Sequence, residues 1–253
     1  MHGFGTLASI RRGGHLHEEA MNLRLHGVWA FAPNVAPYNT VAVRAPMWKK
    51  HLEAVLEETG ARKLNLIAQS MGGLDARFAI SRLGMADRVA TLVTVSTPHR
   101  GSAIADWATE QPDRVREAAA ALANWLGTKT LPTAEADFLT AVTELRPEHI
   151  VNVFNPKTPD HPSVRYWSYA GEAGKGTEIP INPVLRFLNN ILYERDSVND
   201  GFVSVESAKW GTFLGTIPAD HAQEVGISLV PNSEFNSNEF YRGVVQMLAD
   251  EGF

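Results

Sequence analysis

Cysteine is missing from all 253 residues, and its absence removes disulfides, thiolate metal sites and cysteine nucleophiles together. Positive charge is in short supply too: 23 lysines and arginines stand against 28 aspartates and glutamates, a net charge of −5. A nucleic-acid binder needs a basic face to displace counterions from phosphates, so this balance argues against that class of partner. No apolar run approaches the roughly 20 residues needed to span a bilayer. The N-terminus Met1-His2-Gly3-Phe4-Gly5 lacks a basic stretch followed by an apolar one. As it stands the chain reads as cytoplasmic, and as secreted if a segment precedes it. What remains is an ordinary globular composition, 44% hydrophobic and 20% charged, at a length that suits one sizeable core.

Along the chain, helical and strand-like segments alternate. Leu16, Ala20 and Leu23 recur at helical spacing before Gly27, and Val28 to Val35 is short, apolar and strand-like. Trp48, Leu52 and Val55 form another helical stripe, with Pro46 near its start and Gly60 at its end. Lys63 to Gln69 reads as a strand, Ser70 to Leu83 as a helix and Val89 to Ser96 as a strand. Nearly continuous apolar strands in such a rhythm imply a parallel sheet covered on both faces. Beyond Ser102 the rhythm changes. Helices are expected over Pro112 to Leu126 and Thr133 to Leu145, followed by a stretch holding Pro156, Pro159 and Pro162. An excursion of this length inside a sheet protein reads as a helical cap over about 103–163. Val164 to Tyr169 is strand-like, Asn182 to Leu192 helical, and Phe240, Val244 and Met247 mark a C-terminal helix.

The strongest chemical signal is Ala68-Gln69-Ser70-Met71-Gly72-Gly73, between a predicted strand and a predicted helix. A serine on so sharp a turn has its hydroxyl held above the sheet, and the tight backbone demands small neighbours. Alanine stands where the usual pattern has its first glycine. The bare pattern also fits a Gly-rich turn that binds phosphate. A nucleophilic serine needs a base, and the base an orienting carboxylate. Asn199-Asp200-Gly201 and Asp220-His221-Ala222 supply both, in the chain order serine, acid, histidine. A second oxyanion donor is also required. The N–H of Phe4, in His2-Gly3-Phe4-Gly5, and the N–H of Met71 are the candidates.

Several blocks together resemble the bacterial true lipases, lipase family I of the α/β-hydrolase superfamily. They are HGFGT at the start, KLNLIAQSMGGLDARFAISRL, VSTPHRGS at 95–102, VRYWSYAG at 164–171, NDGFVSVESAKWG at 199–211 and DHAQEV at 220–225. The resemblance covers nearly the whole chain. It implies an α/β-hydrolase fold, hydrolysis of acylglycerol esters by Ser70, Asp200 and His221, and a helical lid over an apolar acyl pocket. It also implies a strand just before the HG motif, where this chain begins, and a disulfide that a cysteine-free chain cannot form. A structural calcium is implied too, bound by residues two and six places after the histidine. Those places hold Gln223 and Ile227, and an isoleucine side chain offers calcium no oxygen.

Other signals are weaker. Gly171 to Thr177 hints at a phosphate loop but lacks the four-residue spacer. His2, His15, His17 and His26 have no carboxylates at zinc-site spacing. His99 is a rival base that precedes any plausible acid, Asp196 is a rival acid able to substitute for Asp200, and Asp75 reads as a partner for an arginine. The expectation is one α/β-hydrolase domain over 1–253. Its sheet is mainly parallel with helices on both faces, and a mobile lid lies around 112–145. It needs no cofactor and acts on a small ester or lipid, touching a lipid interface only transiently. A short-chain esterase or phospholipase on the same triad, or a non-catalytic lipid-binding relative, is the alternative.

Overall fold

The computed structural model describes residues 1–2, 16–35, 39–110, 135–231 and 233–253. Four strands, β1 (Leu64–Gln69), β2 (Val89–Val95), β3 (Arg165–Gly171) and β4 (Thr212–Ile217), lie side by side in chain order, every neighbour parallel. Parallel neighbours cannot be joined by a tight hairpin, so each connection crosses the sheet through helices. Helix α1 (His17–Leu25) and α2 (Val41–Thr59) precede β1, and α3 (Gly72–Arg82) joins β1 to β2. Between β2 and β3 run α4 (Ala103–Glu110), α5 (Glu135–Glu144), α6 (Pro147–His149), a π-helical turn (Ile150–Phe154) and α7 (Asn155–Lys157). Helices α8 (Arg186–Arg195) and α9 (Val205–Ala208) precede β4, and α10 (Ser237–Asp250) ends the fold.

Alternation along the strands decides what covers each face. Leu66, Ala68 and Leu92 point one way, into a core with Leu52 and Leu56 of α2 and Ala76, Ala79 and Ile80 of α3. Their neighbours Ile67 and Val93 point the other way, with Trp167 and Tyr169, against Val244 and Leu248 of α10. Both faces are therefore apolar, which is why the strands read as near-continuous hydrophobic runs. Beneath α3, Arg44 pairs with Asp75 at 2.9 Å, and Trp48 Nε1 donates to the same carboxylate at 3.1 Å, all three side chains buried. The arginine partner expected for Asp75 is thus Arg44.

Three segments differ from the sequence reading. Val28 to Val35 forms no strand. Pro33 has no N–H to give a ladder, and the outer side of β1 is instead bonded by Met1, whose carbonyl accepts from Gln69 N at 3.0 Å. Phe202 to Val205 is not a strand either. Asp200 Oδ1 accepts from Phe202 N at 2.8 Å and Val203 N at 2.7 Å, closing a turn where a ladder was expected. In turn, β4 was not anticipated. Gly215 interrupts its pattern, Thr212, Leu214 and Thr216 are exposed and Ile217 alone is buried, and its register with β3 shifts at Ser168/Tyr169. The expected helix over 112–126 lies outside the described residues, as does Phe4.

Candidate active site

The carboxyl ends of β1, β2 and β3 come together through the pairs Gln69 with Val95 and Val95 with Tyr169. In open parallel sheets this edge is where ligands bind. Ser70 follows β1 directly with φ of 57°, and α3 begins two residues later. A left-handed backbone at a residue with a Cβ costs of order 1–3 kcal/mol and persists only where its surroundings hold it. Here Ser70 N donates to Val95 O at 2.9 Å, and Ser70 O accepts from Gly73 N at 3.0 Å and Thr97 Oγ1 at 2.7 Å. The turn also explains its small residues. A Cβ on Gly72 would lie 2.7 Å from His2 O, and one on Gly73 2.2 Å from Thr97 Oγ1. Met71 is the N-cap of α3, where the first N–H groups have no carbonyl of their own helix to bond.

The acid and the histidine arrive on two loops. Asn199, Asp200 and Gly201 form a tight turn after α8, with Gly201 at φ of 102° and its N–H donating to Asn199 Oδ1 at 2.8 Å. Asn189 on α8 fixes that turn, its Nδ2 donating to Asn199 Oδ1 at 2.8 Å. Asp200 is fully buried and accepts from His221 Nδ1 through Oδ2 at 2.6 Å, while His221 N donates to Asp200 O at 3.0 Å. The far ring nitrogen of His221 lies 3.2 Å from Gln69 Nε2, the side-chain amide of the residue before Ser70, and no hydrogen bond joins the ring to the Ser70 hydroxyl. Ser70 is 8% exposed and the His221 side chain 11%, so both are largely withdrawn from water.

A fourth group was not anticipated. Glu224, one turn after His221 and fully buried, has Oε2 3.6 Å from His221 Nδ1 and accepts from Gln69 Nε2 at 2.9 Å. Its other oxygen accepts from Ser96, whose hydroxyl in turn accepts from Gly171 N at 2.8 Å. The i, i+3 spacing within DHAQEV was the only sequence signal for it. Asp196, the expected substitute acid, is instead exposed at the C-cap of α8; the second carboxylate at the histidine is Glu224.

Electrostatics follow from burial and proximity. Burial disfavours the His221 imidazolium, but the charge and hydrogen bond of Asp200, with Glu224 and Asp220 beyond, outweigh it and raise the pKa to about 9. Burial pushes against ionisation of Asp200 as well, and the His221 cation with the two backbone N–H groups holds its carboxyl below the usual value. Glu224 is pushed up by burial and then by the Asp200 charge. His99, the rival base, is buried away from this pair. It touches Thr94 Oγ1 at 3.1 Å and stacks on Trp210, and burial followed by the charges of Arg77 and Arg100 drives its pKa well down.

One wall of the site is apolar. Phe202 lies 5.2 Å, ring to ring, from His221 and packs in a cluster with Trp107 and Leu188, beside Ile104, Val142 and Ile191. Phe187, edge-on to Trp107 at 5.8 Å, is 53% exposed. Among the described residues, no helix is long and apolar enough to cross a membrane.

Residues 29–170 match the family model described as alpha/beta hydrolase fold, and the chain belongs to that family. It is 32% identical over 173 residues to triacylglycerol lipase 2 of Saccharomyces cerevisiae, a stretch covering 67% of this chain and 47% of that protein. The chain thus spans less than half the length of that relative. Among solved structures, the mature form of the Bacillus licheniformis lipase BlEst2 is 23% identical with a TM-score of 0.68, covering 98% of this chain and 89% of the other. A metagenomic carboxyl esterase is 18% identical with a TM-score of 0.77, covering 99% of this chain and 74% of the other. At such identities these likenesses concern the fold.

Proposed function

We propose that the chain hydrolyses carboxylic esters through an acyl-enzyme on Ser70, as a lipase or carboxylesterase. The observation that carries this reading is the 2.6 Å Asp200–His221 hydrogen bond, set beside a left-handed serine at the end of β1. His221 Nε2 takes the Ser70 proton as Oγ attacks the ester carbonyl. Asp200, accepting at Nδ1, keeps the ring oriented and stabilises its cation. Oxyanion charge is met by the N–H of Met71 and, in this proposal, by that of Phe4. The imidazolium then gives its proton to the leaving alcohol. Water, deprotonated by the same histidine, releases the acid and restores Ser70. The apolar wall of Phe202, Trp107 and Leu188 suits an aliphatic acyl chain, and the lipase names among the relatives favour acylglycerols. The same proposal extends to one domain over 1–253, with a cap over about 103–163 of which the part around 112–145 opens at a lipid surface.

The test combines a fluorophosphonate probe with p-nitrophenyl esters of increasing chain length. Mass addition at Ser70 and rates that favour longer chains are expected. Ser70→Ala or His221→Ala should lower kcat by about 10⁴–10⁶. A folded Ser70→Ala variant that keeps a tenth of wild-type activity would sink the assignment.

A further inference from the structure

The resemblance to lipase family I implies a calcium ion bracing the histidine loop, and the residues here do not fit one. The two places that would supply ligands hold Gln223 and Ile227, and the carboxylate beside them is Asp220, which precedes His221 and is fully buried. Its Oδ1 accepts from Ala222 N and Gln223 N, each at 3.0 Å, and from Asn182 Nδ2 at 2.9 Å. Its Oδ2 accepts from Asn182 N at 2.7 Å and Asn182 Nδ2 at 2.8 Å. Asn182 Oδ1 accepts from Leu229 N at 2.5 Å, and Gln223 Oε1 from Asp220 N at 2.8 Å. Calcium takes six to eight oxygen ligands, roughly. Here the side-chain oxygens already accept N–H donors, and an amide NH₂, which cannot ligate a cation, faces the carboxylate.

We propose that Asn182 does without metal what the ion does in the family: it staples the loop that carries His221. The assignment rests on His221 being the general base. One buried amide joins three points of this loop, Asp220, Ile227 O (3.3 Å from Nδ2) and Leu229 N, to the segment leading into α8. The orientation of the amide is fixed by chemistry, because a backbone N–H only donates and a carboxylate only accepts. Ile181, Leu185, Ala222 and Ile227 pack around it, so water is poorly placed to replace a lost bond. His221 lies one residue from the stapled carboxylate and must reach Asp200 on one side and the Ser70 region on the other. Loosening the staple therefore acts on ring placement rather than on substrate contact. Asn182 is a positioning residue.

The experiment compares wild type, Asn182→Ala and Asn182→Asp, each in EDTA and in calcium chloride. It reads kinetics on a soluble p-nitrophenyl ester and hydrogen exchange of the backbone amides in residues 218–230. Wild type should be indifferent to both additions. Asn182→Ala should lose about 10–100-fold in kcat with little change in KM, the scale of a displaced catalytic group, and exchange faster at Ala222, Gln223 and Leu229. Asn182→Asp sets a second carboxylate against Asp220. It should lose protection in EDTA and regain protection and rate with calcium, which has no effect on wild type. Loss of loop protection in EDTA-treated wild type would overturn the proposal, as would an Asn182→Ala variant with wild-type exchange and kcat. Exchange reports on the staple even if no ester is hydrolysed, so its failure is separable from failure of the catalytic reading.

Discussion

The two halves of the site are held by opposite means. The serine half is made by backbone: a strand end, a left-handed residue, two glycines too close to their neighbours for a Cβ, and a helix beginning at once. The histidine half is made by polar side chains: Asn189 on the acid turn, Asn182 on the histidine loop, Gln69 and Ser96 on Glu224. Backbone construction leaves no freedom to a side chain substitution that adds volume. Side-chain construction can lose one partner and retain others. The elbow should therefore fail in folding, and the histidine loop in chemistry.

The largest effect that sharpens this contrast is at the acid. Removing the triad carboxylate elsewhere costs about 10⁴ in kcat. Glu224 Oε2 stands 3.6 Å from the same ring nitrogen, and the Asp200 charge that discourages its ionisation disappears in Asp200→Ala. Asp200→Ala should lose only on the order of 10²–10³, and adding Glu224→Gln should remove most of what is left, measured as kcat on a dissolved ester. Equal activity in the single and double variants would show that Glu224 gives the histidine no support.

On the elbow side, Gly73→Ala should destabilise by about 1–3 kcal/mol, because its Cβ meets Thr97, whose hydroxyl braces Ser70 O. At this size each kcal/mol lowers Tm by roughly 2–4 °C. Calorimetry checks it, and kcat of the folded fraction should change far less than Tm. An unchanged Tm would break the contrast.

Smaller, and confined to the histidine half, is the response to pH. His221 must be neutral to act as a base, so kcat/KM should climb by up to about tenfold per pH unit toward its pKa of about 9. Stability should run the other way. His221 binds its proton more tightly folded than unfolded, so its stabilising contribution is full below the unfolded value near 6.5, roughly, and is lost as pH rises through about 9. Glu224, raised by burial, acts in the same direction. Parallel pH series of kcat/KM and Tm should therefore diverge, and a joint rise would show that the Asp200 pair does not govern both.

The same contrast explains what could be read from sequence. β2 is legible because burial on both faces leaves a nearly continuous apolar run, β1 and β3 because short runs of strand-forming residues survive between polar ones, and the elbow because its geometry demands small residues around Ser70. The blocks around Asp200 and His221 are legible as motifs, and the structure brings these two together. β4 escapes because its sequence TFLGTI gives neither an apolar run nor a polar–apolar alternation, although exposure alternates along the strand. Asn182 and Gln69 escape for another reason: their partners stand 38 and 155 residues away, and an amide hydrogen bond leaves no periodic trace. Glu224 was in view within DHAQEV, but only the fold turns it toward His221.

On the proposed reading, the left-handed φ of Ser70 serves its hydroxyl, and durability suffers for it. Ser70→Ala removes the hydroxyl and keeps the strain, whereas Ser70→Gly removes both. Relief of the left-handed penalty, about 1–2 kcal/mol, exceeds the entropy that glycine loses on folding, about 0.5–1 kcal/mol. The glycine variant should therefore unfold later than the alanine variant, by up to about 1 kcal/mol. Selection for persistence alone would erase the proposed nucleophile. Ser96, left-handed after β2 with φ of 45°, spends its hydroxyl on Glu224, so the backbone strain at Ser70 takes its meaning from the chemistry proposed for it.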